Sequence, residues 1–166
     1  MVFQGTVWGP QLWNAFFGDA CVPVRKKGFC EVVYADDLNG YKSFPRSTPN
    51  REVLQEVASC KTELHRWGHA NSVTFDSGKE SAHVLSLTEP EGEDFVILGV
   101  QFDCKPTMEA ACESLSTECG WKLKALLRTK TFNTTADMVR LYKAQLLSFT
   151  EYRTSAIYHA TVATLE

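Results

Sequence analysis

What this chain lacks narrows it first. Its six cysteines, Cys21, Cys30, Cys60, Cys104, Cys112 and Cys119, contain no Cys-x-x-Cys pair, which removes zinc ribbons and dithiol redox motifs. Cys60, His65 and His69 are the nearest approach to a ligand group, and Gly68 is expected to interrupt the helix that would align them. There is no excess of positive charge either: 17 Lys and Arg against 20 Asp and Glu leave a formal net charge of −3. Any affinity for nucleic acid therefore rests on local clusters and not on the field of the whole molecule. No charge occurs from Met1 to Gly18. That stretch fits a membrane span or signal peptide poorly, because Gln4, Gly5, Gly9, Pro10, Gln11 and Asn14 interrupt it and no basic segment precedes it. Without a secretory signal, the cysteines are expected as reduced thiols of an intracellular protein. Repeats, low-complexity tracts and long linkers are also missing.

The remaining composition, 44% hydrophobic and 22% charged over 166 residues, is that of one globular domain or two small ones. Pro10 suits the start of a helix, and Leu12, Trp13, Phe16, Phe17 and Ala20 recur with helical spacing behind it. Val22 to Val24 lead through the basic turn Arg25, Lys26, Lys27 into a strand over 29–34, and a second strand over 38–44 completes a hairpin. Ser47 to Asn50 carry start signals for a helix whose apolar face is Val53, Leu54, Val57, Leu64 and Trp67, and which stops near Gly68. Three further strands are predicted over 73–75, 83–87 and 95–102. Beyond Asp103 the pattern turns helical, with Thr107 as a cap for a helix toward Arg128. Thr134 with Asp137 opens a long helix through Met138, Leu141, Tyr142, Leu146 and Phe149. The fold class is thus α+β, with a boundary near Cys104 dividing 1–103 from 104–166.

The feature that carries chemistry is Asp36 next to Asp37, closing the apolar run Cys30 to Tyr34. Adjacent anions repel, and both stay ionised most readily where a cation or strong donors offset the field. Successive residues of a strand face opposite ways, so the two share a metal only at a tight turn that re-aims one of them. Asn39 and Gly40 follow at once, and Asn-Gly suits a two-residue hairpin. A solvated Asp-Asp turn is the alternative reading of the dipeptide alone.

The order of these elements resembles the palm and thumb of reverse transcriptases. Phe3-Gln4-Gly5-Thr6-Val7-Trp8-Gly9-Pro10-Gln11-Leu12-Trp13-Asn14 is similar to that family's Pro-Gln-Gly…Ser-Pro-x-Leu-Phe-Asn motif, and Tyr34-Ala35-Asp36-Asp37 matches its catalytic box. Gly78-Lys79 and Leu98-Gly99-Val100 follow in the family's order. Ala35, Asn14, Leu141-Tyr142 and Glu151-Tyr152 look more like non-LTR retrotransposon enzymes than retroviral ones, although group II intron and retron enzymes also use Ala in the box.

The resemblance implies a fold, a reaction and a set of roles. The fold is a partial palm, an antiparallel sheet with packed helices over 1–103, followed by a helical thumb over 104–166. The reaction is RNA-directed DNA polymerisation, a nucleotidyl transfer assisted by two Mg²⁺ ions, with Mn²⁺ as a substitute. Its partners are an RNA template, a DNA primer and deoxynucleoside triphosphates, with no membrane. Two metals activate the primer hydroxyl and neutralise the pyrophosphate, and Mg²⁺ prefers carboxylate, phosphate and water oxygens. Asp36 is then the principal ligand and Asp37 a less direct one, with Tyr34 and Ala35 near the primer end. Gln4 and Gly5 line the nucleotide pocket and template, where a side chain would block close approach. Lys79 neutralises or protonates the departing pyrophosphate, and Leu98, Gly99 and Val100 act as the primer grip. Lys122, Lys124, Arg128 and Lys130, which occur without an intervening acid, contact the nucleic-acid backbone, with Trp121 packed beneath them.

Each role has a plainer counterpart. Tyr34 also fits a half-buried strand aromatic, Gly5 and Gly9 turn residues, Lys79 a solvated loop cation, the Leu98 segment an ordinary strand, and the basic run a solvated helix face. The chain departs from the family at Phe3, where Pro is usual, and at Gly9, where Ser is usual. The family's third aspartate and its basic finger residues stand upstream of Gln4, where only Met1, Val2 and Phe3 occur. The expectation is a C-terminal piece of a polymerase core that is inactive by itself, without endonuclease or ribonuclease H segments. Two other readings are carried beside it: a catalytically inactive remnant or nucleic-acid-binding module, and an unrelated α+β module whose acidic hairpin holds a structural cation.

Overall fold

In the computed structural model, residues 6–157, Ala160 and Thr164 are described. Among the described residues, helices and two two-stranded antiparallel sheets make an α+β fold. It divides into two compact units, 1–82 and 83–166. The division precedes the expected boundary at 103/104, and the reason is packing. Val100 from the second sheet is buried together with Met108, Ala111 and Ile157, so that sheet belongs to the core of the C-terminal helices.

In the first unit, helix α1 (Gly9–Phe17) starts as expected, with Pro10 in its first turn. Helix α2 (Cys21–Lys26) occupies the segment read as a turn. Pro23 does not prevent it, because the N–H that proline lacks falls in the first turn, where backbone donors have no intrahelical acceptor. Strands β1 (Cys30–Tyr34) and β2 (Asp37–Tyr41) then form the predicted hairpin. Helix α3 (Asn50–Ala70) follows. Val24, Phe29 and Cys60 are the buried centre, covered by Leu38, Phe44, Val57 and Leu64. An aromatic cluster adjoins it: Phe17 lies against Trp13 at 4.9 Å, Trp67 at 5.9 Å and Phe75 at 6.5 Å.

Two expectations change in this unit. Gly68 does not stop α3; it lies inside the helix and is buried. The helix runs two residues further, to Ala70, and ends in a Schellman turn with Ser72 in the left-handed region at φ 56°. The Val73 N–H donates to Gly68 O at 2.8 Å and the Ser72 N–H to His69 O at 3.4 Å. The segment 73–75 is therefore not a strand, since its first N–H is committed to the helix end. Phe75 folds onto the helix, and Glu80 ties the following loop to α3 through Lys61 at 2.9 Å and His65 at 2.7 Å. Burial acts to raise the Glu80 pKa, but the hydrogen bonds and charges of Lys61 and His65 outweigh it and hold the carboxyl below its usual range.

In the second unit, the expected strand over 95–102 is a hairpin, β3 (Phe95–Ile97) and β4 (Val100–Phe102). The expected strand over 83–87 contributes one bridge, Val84 to Glu91. Helix α4 (Glu109–Arg128) begins two residues beyond Thr107. Thr107 Oγ1 accepts the Glu109 N–H at 3.4 Å, and Asp103 holds the same start from upstream: its carboxylate accepts from the Thr107 N–H at 2.8 Å, the Met108 N–H at 3.2 Å and the Thr107 hydroxyl. Thr134 does cap the next helix, accepting from the Asp137 N–H at 3.3 Å. That helical run comprises α5 (Thr135–Tyr142), a π-helical segment Lys143–Leu147, and α6 (Ser148–Ile157). Among the described residues no helix is long and apolar enough to cross a membrane.

Candidate functional site

The acidic pair lies where the chain reverses. Tyr34 pairs with Asp37 across the ladder, so the two-residue turn is Ala35-Asp36. Asn39 and Gly40 are not the turn; they pair with Val32 and Glu31 inside the sheet. Asp36 thus occupies the turn itself and Asp37 the first position of β2. This arrangement breaks the strict alternation that would otherwise send the two side chains to opposite faces. Ala35 takes φ 54°, a conformation that glycine adopts without cost and that alanine adopts at about 1 kcal/mol. The neighbouring helix braces this strained turn: the Trp13 indole Nε1–H donates to Ala35 O at 2.8 Å. Trp13 in turn stacks on Phe17, which is buried. A core aromatic network therefore holds the loop that carries Asp36.

Both aspartates and Tyr34 are exposed. Among the described residues no ion pair or side-chain hydrogen bond engages either carboxylate. Their oxygens suit a hard divalent cation. Among the described residues, however, no group of three or more His, Cys, Asp or Glu side chains is placed to hold a metal. The pair fits the chemistry of one ion at low affinity. It does not fit a two-ion clamp.

The remaining predicted residues fall in separate places. Gln4 and Gly5 lie outside the described residues. Lys79 follows a turn in which Asp76 accepts the Gly78 N–H at 3.0 Å. Its ion pair is with Asp76 at 4.0 Å, and it remains 86% exposed. In the second unit, Leu98 and Gly99 form the β3–β4 turn, with Val100 opening β4. Both turn residues have positive φ, 49° and 79°, the signature of a type I′ hairpin. Leu98 O accepts the Tyr152 hydroxyl at 2.7 Å. The two hairpins thus share a device, an aromatic donor on a helix bonded to the carbonyl of the first turn residue.

Of the basic run, Lys122 is committed to the protein. Its Nζ sits 4.5 Å from the Phe149 ring, which Arg153 also contacts at 4.5 Å, and Arg153 pairs with Glu118 at 3.0 Å. Lys124, Arg128 and Lys130 are exposed. Trp121 does not pack beneath them; it is 71% exposed.

One constellation escaped the sequence reading. His83 Nδ1 lies 3.7 Å from Cys104 Sγ, and the Cys104 thiol donates to Glu93 O at 3.4 Å. The residues are far apart in sequence and no motif marks them. Burial raises the Cys104 pKa, with Asp94 and Asp103 adding to it, and burial lowers that of His83. Both partners are thus held neutral, which is the opposite of an activated thiolate–imidazolium pair. The ring stacks on Phe95 at 4.0 Å, and its Nε2 is enclosed without a partner among the described residues.

A pH dependence follows. His83 binds a proton more readily unfolded than folded, so the unfolded state gains protons first as pH falls through about 6.5. The second unit should lose stability below that pH. His83→Phe, which keeps the stacking, should flatten the profile relative to the parent. Hydrogen exchange of α4 amides at pH 7 and 5.5 measures it, and identical acid sensitivity in both proteins would exclude His83 as the cause.

Comparison with models of protein families, with curated proteins and with solved structures returned no match.

Proposed function

We propose that this chain is part of an RNA-directed DNA polymerase of the non-LTR retrotransposon type, contributing two carboxylates to a nucleotidyl-transfer site. The observation that carries the reading is Tyr34-Ala35-Asp36-Asp37 at the tip of a β-hairpin, with both carboxylates exposed and Asp36 in the turn. The pair supplies hard oxygen ligands at a braced and solvent-accessible edge. Mg²⁺, when bound there, supplies charge neutralisation for a triphosphate. On this reading residues 1–103 are palm and 104–166 are thumb. Lys79 faces the leaving group in the complete site, the Leu98-Gly99 turn supports the primer, and Lys124, Arg128 and Lys130 meet the template-primer backbone.

The ligand count favours a second reading of the chain by itself. Two carboxylates from one hairpin do not clamp two ions, so the isolated chain is a non-catalytic, nucleic-acid-binding piece. The two readings share the hairpin site, and a metal titration tests it. Mn²⁺ should broaden the NMR signals of residues 34 to 37 selectively, and Asp36→Asn should weaken that broadening several-fold. Equal broadening in both proteins would sink the assignment of Asp36.

A further inference from the structure

The C-terminal half of α4 and the short turn after it expose aromatic and basic side chains close together in sequence. Trp121 is 71% exposed and Phe132, in the short turn after the helix, 86%. Lys124, Arg128 and Lys130 lie between them in sequence and are all exposed. Residues 121, 124 and 128 follow the i, i+3, i+7 spacing that puts them on one stripe of a helix, spanning about 10 Å along its axis. No acid falls between Trp121 and Phe132. The next one along the chain, Asp137, is engaged by Thr134 and by Arg140. Three cations free of ion pairs among the described residues, bracketed by two bare aromatic rings, complement a polyanion that carries its own flat rings. A duplex backbone would use the cations and leave the rings without a role. Trp121 is also placed where a core residue is not, because Leu126 is the buried position of this part of the helix.

We propose that this end of α4 is a platform for single-stranded nucleic acid, Trp121 and Phe132 stacking on unpaired bases while Lys124, Arg128 and Lys130 meet the phosphates. The proposal rests on the nucleic-acid reading of this helix given above and is independent of the metal site. Stacking platforms tolerate any base, so the surface recognises an unpaired strand and not a sequence.

The test compares two fluorescent probes bound to the whole chain: a blunt duplex, and the same duplex with an overhang of about ten nucleotides, within the span a single stacking domain covers. The overhang probe should bind more tightly. Trp121→Ala should weaken the overhang probe by about 5- to 150-fold, the size of one lost base–aromatic stack. It should leave the blunt duplex unaffected, and Trp121→Phe should retain most of the affinity. Changing Lys124, Arg128 and Lys130 to Gln should flatten the salt dependence for the overhang by about two logarithmic units, whereas Trp121→Ala should leave that slope unchanged. Because these side chains are exposed, circular dichroism should show unchanged folding for every variant. Equal affinity for both probes with a silent Trp121→Ala overturns the platform and leaves the duplex-backbone reading standing. Binding of neither probe overturns both. A Trp121-dependent shift to a dimer on size-exclusion chromatography, without binding, assigns the face to a second copy and also overturns the proposal.

Discussion

Incubated with an RNA template, a DNA primer, deoxynucleoside triphosphates and either Mg²⁺ or Mn²⁺, the 166-residue chain should extend no primer. The reason is the ligand count at the hairpin. In-line phosphoryl transfer places one ion on the attacking oxygen and one on the leaving oxygen, and the pair must be clamped from more than one strand. Asp36 and Asp37 come from a single turn, and no third acidic side chain joins them among the described residues. Loss of one preorganised donor already costs about 10²- to 10³-fold, and loss of an ion's clamp costs more. A longer protein that adds an upstream strand bearing an aspartate and basic residues for the triphosphate should recover extension. Asp36→Asn in that longer protein should remove it again by at least about 10³-fold. Robust extension by the short chain that survives Asp36→Asn would falsify both the ligand argument and the role given to Asp36.

The hairpin that frames this prediction was legible because a short β-type apolar run, Cys30 to Tyr34, and an adjacent acidic pair are local signals. The position of its turn was less so. Asn-Gly is the stronger turn dipeptide, yet the chain reverses at Ala35-Asp36, and the bond from Trp13 to Ala35 O offsets the cost of alanine at φ 54°. That bond joins residues 22 apart, and no local pattern shows it. The same cause hid the Leu98-Gly99 reversal. The apolar run from Phe95 to Phe102 reads as one strand until the positive φ angles and the Tyr152 bond reveal two. His83 and Cys104 meet only through the tertiary fold. Helices were read more reliably, because Pro10, Asn50 and Thr134 mark starts within a residue or so of where they occur. The reading failed at α2, taken for a turn, and at Gly68, where a glycine was judged by propensity although packing decides its role.

Gly68→Ala should destabilise the first unit by about 1–3 kcal/mol, although alanine is the better helix former by about 1 kcal/mol. A Cβ at this position would lie 2.7 Å from Val73 O and 2.9 Å from the Phe75 ring. Neither neighbour yields easily. Val73 is fixed by its N–H bond to Gly68 O, and Phe75 is packed among Phe17, His65 and Trp67. Relief would require opening the Schellman turn, with loss of its two hydrogen bonds and of the aromatic contact. Ser72→Gly should move stability the other way by several tenths of a kcal/mol, since it removes the strain of a side chain at φ 56° without adding an atom. Native-state hydrogen exchange of the amides over 60–70 reads both effects on α3 alone. Faster exchange in Gly68→Ala and slower exchange in Ser72→Gly are expected. Unchanged or slower exchange in Gly68→Ala would mean that helix propensity outweighs the close approach, and that Gly68 has no packing role.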